Sequence, residues 1–247
     1  MIVTLSFIAV FVLALTHLFA GKLRWLNEIP RSRWLSMASG VSVAYIFVHL
    51  LPELNEGQEV VKEKAGEALA TLDHHVYLLA LVGLVTFYGL ERVASTSRAT
   101  RRAATDEDRT TEGVFWLHVI SFGLYNALIG YLLVHRDPEN RGDVRGLILF
   151  AVAMALHFVV NDYGLREHHK TAYDRIGRWV LAAAIVLGWV IGLVFEVSEA
   201  ALFVLLALIA GGVILNVLKE ELPEERQSRF WAFGLGAAAY TALLLAL

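Results

Sequence analysis

An all-α membrane fold follows from two observations. Apolar residues make up 57% of the 247-residue chain, and they lie in long blocks rather than in the stripes of a soluble amphipathic helix. Roughly 20 mostly apolar residues cross about 30 Å of hydrocarbon. On that criterion the chain holds eight spans, at about 3–20, 35–52, 75–91, 114–134, 146–165, 179–197, 200–218 and 230–247. The prediction is a polytopic protein of eight transmembrane helices. The spans consume nearly all of the sequence, so 1–247 is expected to form a single transmembrane domain with no separate soluble one.

Each span has its own justification. The first lacks a basic leading segment and a small-residue cleavage site, and is expected to be retained rather than removed as a signal peptide. The second ends in His49-Leu-Leu-Pro-Glu53, a histidine inside the end of an apolar run. The third feeds the longest basic connection, 92–113. The fourth and fifth carry His118 and His157, and neither contains a proline, so both are expected to be straight. Glu196 lies near the end of the sixth, where it is either interfacial or a surviving acid of a pathway. The seventh carries Asn216, either polar glue between helices or a ligand, and ends Glu220-Glu-Leu-Pro-Glu224. Gly123, Gly130, Gly211 and Gly212 read as positions where helices approach closely.

Charge orients the spans. Sixteen of the 21 Lys and Arg lie in alternate connections, 21–34, 92–113, 166–178 and 219–229. The positive-inside rule then places both termini outside and the 92–113 loop in the cytoplasm of a cell (inner) membrane. The acidic 53–74 segment falls on the outer side, either as a cation-gathering loop or as a solvated connector. With no cysteine, disulfides and thiolate ligands are excluded, and any metal must be held by nitrogen and oxygen.

Leu-Pro-Glu closes the second span and the seventh, which run in opposite directions. That is the trace an inverted repeat leaves, here spans 1–3 against 6–8 around a central fourth and fifth. The alternative is two ordinary proline-terminated helices. The segment from Gly40 to Glu53 resembles the second helix of the ZIP (Zrt/Irt-like) metal transporters, and Ala210 to Glu224 resembles their seventh. His118-Val-Ile-Ser-Phe-Gly123 and His157-Phe-Val-Val-Asn-Asp162 stand where that family carries metal ligands on its fourth and fifth helices. The resemblance implies an eight-helix carrier for a divalent metal such as zinc, crossing by alternating access.

Departures from the family pattern define a reduced site. Val119 and Phe158 replace polar residues, Ser121 and Val160 replace prolines, and Phe122 and Asn161 replace acids. What remains as metal ligands is His118, His157 and Asn161, with Ser121 and, one residue off register, Asp162. Helical geometry puts His157 and Asn161 on one face and turns Asp162 by about 100°. Tyr45, His49 and Glu53 are pathway candidates near the outer mouth, with Glu196 and Asn216. His168-His169 and His74-His75 are either metal-binding pairs or solvated loop residues.

Three functions remain open on sequence. The first is ZIP-like transport of a divalent metal through the reduced site, needing no cofactor beyond the bound ion. The second is a ZIP-fold protein that has lost metal transport and moves another solute or serves as a membrane partner. The third is an intramembrane zinc hydrolase, with Asp162 as the base. The expectation is a carrier and not an enzyme. Its partners are the lipid bilayer and its metal substrate, with no nucleic acid, and a homodimer is left open.

Overall fold

Apolar runs in hydrocarbon must satisfy every backbone N–H and C=O internally, and an α-helix does so within one segment. The computed structural model describes residues 2–22, 33–64, 75–105, 110–135, 144–220 and 229–245, and among them every long element is helical. These are α1 (Ile2–Phe19), α2 (Arg33–Tyr45), α3 (Leu51–Lys64), α4 (His75–Thr105), α5 (Glu112–His135), α6 (Val144–His169), α7 (Arg178–Val194), α8 (Glu199–Glu220) and α9 (Phe230–Leu245). Seven continuous helical stretches are long and apolar enough to cross a membrane. α9 is apolar but only 16 residues long as described, about 24 Å at 1.5 Å per residue.

Two wide turns interrupt the regular pattern. Ile46–Leu50 is π-helical and joins α2 to α3 without a break, the Leu51 N–H reaching back to the Ile46 carbonyl. Its cause is Pro52, which has no N–H for the Val48 carbonyl and whose ring crowds it. His49 sits in this turn. A second π-turn, Tyr173–Gly177, leads into α7. Between α6 and that turn, Lys170 takes a left-handed conformation at φ 51°, and its N–H closes on the Arg166 carbonyl at 2.8 Å. As expected without proline, α5 and α6 are uninterrupted.

Two connections differ from their expected form. α4 continues past the third span to Thr105, so the first half of the 92–113 segment is helix. Its Ala, Arg, Thr and Ser residues are compatible with a solvated helix, and nothing there forces a turn. Likewise α3 carries the helix beyond Glu53 to Lys64.

The chain divides into two compact units. The first holds α1, α4 from Gly89 onward, α5, α6 and α7. Its tightest seam joins α5 to α7, where Gly130 lies against the Ile185 carbonyl and Gly188 against the Ala127 carbonyl. α1 packs on α6 and α7, and Trp189 Nε1–H donates to Ser6 Oγ at 3.0 Å. The second unit holds α2, α3, the first half of α4, α8 and α9. Here Gly40 lies on the Phe233 carbonyl and Gly236 on the Met37 carbonyl, while Gly83 meets Leu208 and Gly211 meets Ala80. Large apolar side chains face outward in both units, among them Phe11, Val85, Leu124, Trp179 and Leu187. Such a surface suits lipid and would be a liability in water.

The seams predict a contrast within one helix. A Cβ at Gly236 would enter the Met37 carbonyl, whereas one at Gly234 meets nothing within 4 Å. Gly236→Ala should therefore lower the thermal unfolding midpoint in detergent. Gly234→Ala should leave it unchanged or raise it, because Ala is better than Gly in a helix by up to about 1 kcal/mol. Equal effects of the two would contradict the packing.

Candidate functional site

α1 is apolar along its length except near its end, where His17 is fully buried at 0% exposure. A polar side chain in that position needs partners from other helices. His17 finds two. Its Nδ1–H donates to both carboxylate oxygens of Asp162 on α6, at 2.9 and 3.0 Å. Its Nε2–H donates to Asn126 Oδ1 on α5 at 2.7 Å. The amide is oriented by its other end, since Asn126 Nδ2 donates to the Phe122 carbonyl at 2.7 Å. Both ring nitrogens of His17 thus face oxygen acceptors, and a ring protonated on both would satisfy them together. The Phe158 ring stacks on it at 4.4 Å between centroids.

Asp162 is also at 0% exposure and is the one buried carboxylate among the described residues. His17 is the side chain placed to compensate its charge, at 2.9 Å. The one-residue offset that took Asp162 out of the His157–Asn161 register is what turns it toward His17 on α1. Tyr173 is a further electrostatic neighbour of this group, and the Arg166 guanidinium stands 5.4 Å above the Tyr173 ring.

His157 and Asn161 lie on the next face of α6, both buried. The His157 ring is 6.0 Å from Tyr125 and 6.3 Å from Phe158. Its Nε2 is buried with no hydrogen-bond partner among the described residues. His17, Asn126, His157, Asn161 and Asp162 therefore gather within one set of packed helices.

His118 goes elsewhere. Its Nε2–H donates to the Leu90 carbonyl at 2.7 Å, and its Nδ1 lies 3.1 Å from His169 Nε2. The rings of Phe122 and Tyr125 follow it along α5 before His157 is reached, at 5.9, 6.4 and 6.0 Å in turn. The expected pairing of His118 with His157 is not formed in this arrangement, because aromatic side chains stand between them. Ser121 is half-buried on α5.

The outer-mouth candidates cohere in the second unit. Tyr45 and His49 have rings 5.3 Å apart, and His49 Nε2 is 3.7 Å from Glu53. Glu196 is exposed just past the end of α7. The side chain of Asn216 and all of His74 lie outside the described residues. Sequence reading passed over His17, Asn126 and His135, the last donating from Nε2 to the Gly192 carbonyl at 2.7 Å. A signal for His17 existed: it is the lone ionisable residue in an apolar span.

No protein-family model matches the chain, and no curated protein is significantly similar to it.

The ion pair predicts non-additive stability. Removing one partner leaves an uncompensated buried charge and costs about 3–5 kcal/mol, whereas replacing both with apolar residues of similar volume is far milder. His17→Leu and Asp162→Leu should each lower the unfolding midpoint in detergent steeply. The double variant should recover most of the loss, and additive losses would contradict a compensated pair.

Proposed function

We propose that this chain is a multi-pass carrier of ZIP-like architecture that moves a divalent, zinc-like metal cation across the cell membrane. Both termini lie outside, following the distribution of Lys and Arg. The observation that carries this reading is the buried centre of His17, Asn126, His157, Asn161 and Asp162. Ionisable residues inside spans are costly and mark substrate pathways by default.

The metal enters this centre by displacing a proton. With His17 protonated, Asp162 is already neutralised, and a divalent cation would bring its full charge into a low-dielectric site. Loss of the His17 proton leaves the carboxylate, its Nδ1 lone pair and the unpartnered His157 Nε2. Nitrogen and oxygen donors of this kind suit zinc, and metal binding that requires deprotonated ligands releases protons. His17 thus acts as an internal stand-in for the cargo.

An eight-span inverted repeat is part of the proposal, and helix packing supports it. Exchange the first span with the sixth, second with seventh, third with eighth and fourth with fifth. The seam of α5 on α7 then maps onto that of α6 on α1, and α2 on α9 maps onto α8 on α4. The glycines follow: Gly40 precedes Pro52 by the same interval as Gly211 precedes Pro223, and both lie on a neighbouring backbone.

A second reading has one observation in its favour. Because His118 is committed to Leu90 and His169, the two-imidazole grip of the fourth and fifth spans is lacking, as in a relative that moves another solute.

Liposomes separate the two. Purified protein should take up zinc above the level of empty vesicles, and release protons to a weakly buffered medium as it binds. Asp162→Asn and His157→Ala should reduce uptake to the empty-vesicle level, while Gly89→Ala, whose Cβ would meet nothing within 4 Å, should not. Uptake by the parent indistinguishable from empty vesicles sinks the metal reading and leaves the second.

A further inference from the structure

We propose that His118, His168 and His169 form a second metal site, where α4, α5 and α6 meet, that takes one zinc-like divalent cation through three imidazole nitrogens. This site is separate from the centre around Asp162 and does not depend on its being a transport pathway.

Geometry is the first argument. His118 Nδ1 and His169 Nε2 stand 3.1 Å apart, close to the edge of a ligand tetrahedron with zinc–nitrogen bonds of about 2 Å, roughly 3.3 Å. Three imidazoles on one zinc have ring centroids about 5 Å apart by the same bond lengths. The rings of His118 and His169 are 5.1 Å apart. His168 is 6.5 Å from the first and 6.3 Å from the second. No three His, Asp or Glu side chains among the described residues already converge on one point. The His168 ring is the part out of place, and a swing of about 1.5 Å closes the set to the spacing that tetrahedral zinc requires.

The outer shell is the second argument. A metal-bound histidine holds its other ring nitrogen in a hydrogen bond to a carboxylate, a carbonyl or a similar acceptor. All three have one here. His118 Nε2–H donates to the Leu90 carbonyl at 2.7 Å, His168 Nε2 pairs with Glu91 Oε1 at 2.7 Å, and His169 Nδ1 lies 2.6 Å from Thr110 Oγ1. These contacts leave the inner nitrogens as the ones a metal would meet. His118 Nδ1 is an acceptor because Nε2 carries the proton. His168 Nδ1 is buried with no hydrogen-bond partner among the described residues. For His169, Nε2 donates to His118 in the metal-free state; with metal bound, its proton shifts to Nδ1, which then donates to Thr110 Oγ1.

Chemistry selects the cation. Three neutral nitrogens with an open fourth position suit zinc and its neighbours rather than magnesium or calcium, which prefer oxygen. The nearby Glu91 carboxylate, held on His168, offsets part of the charge. A bound ion would tie α5 to α6 and, through Leu90 and Glu91, to α4.

The test uses the full chain in detergent micelles, freed of metal and titrated with zinc against a chromophoric chelator. His168→Ala should lose one bound zinc per chain relative to the parent, as should His169→Ala, and Glu91→Gln should weaken that zinc about tenfold. X-ray absorption of the parent loaded with one equivalent should report three imidazole nitrogens. Each variant is checked for parental helicity and elution. If His169→Ala does not fold, His168→Ala decides, since that side chain is 13% exposed and at the edge of the cluster. Unchanged zinc stoichiometry in His168→Ala, or fewer than three imidazoles in the absorption spectrum, overturns the proposal. Transport is not read in this experiment, so the carrier reading stands or falls separately.

Discussion

A carboxylate inside a helical bundle has to be compensated, and Asp162 imposes that demand on the first unit. Its charge is met by His17 at 2.9 Å, which requires α1 to lie directly against α6 at this height. Asn126 must come from α5 to occupy the remaining imidazole nitrogen, and it can do so only with its amide turned by the Phe122 carbonyl. Three helices are thus registered against one another by a single charge. The glycine seam between α5 and α7 complements this: it lets backbones touch where no polar contact holds them. The polar centre sets the axial register, and the seam sets the distance.

Seven of the expected spans were legible because a run of about 20 apolar residues has few alternatives in hydrocarbon. Glycine positions at helix contacts were legible in part. Gly130, Gly211 and Gly212 do meet neighbouring helices, while Gly40, Gly83, Gly188 and Gly236 were not picked out beforehand. Nothing local distinguishes a glycine against a carbonyl from Gly89, which faces open space. The partner helix decides, and one sequence does not name the partner.

The candidate site divides along the same line. That Asp162 is rotated away from His157 and Asn161 follows from helix geometry alone. Which helix it then faces does not, and His17 went unweighed although it breaks an otherwise apolar span. His118 shows the converse. Its position in the chain suggested a partner on the facing span at His157, but hydrogen-bond demand is satisfied by what lies closest, here Leu90 and His169. Leu90 comes from α4 and His169 from the end of α6, and one sequence does not say which helices meet around His118.

The two polar clusters share the same pair of helices. On α5, Asn126 belongs to one and His118 to the other; on α6, Asp162 to one and His169 to the other. Phe122 on α5 and Leu165 on α6 lie between them in the chain, both buried. Their separation along the helices is about 11 Å at 1.5 Å per residue. At that distance two unit charges interact by about 1.5 kcal/mol with an effective dielectric constant of about 20, close to a tenfold change in affinity. A cation held by the three histidines would disfavour a second positive charge beside Asp162, whether that charge is a metal ion or the proton on His17. The coupling needs no movement of the helices, only the low dielectric that their packing creates.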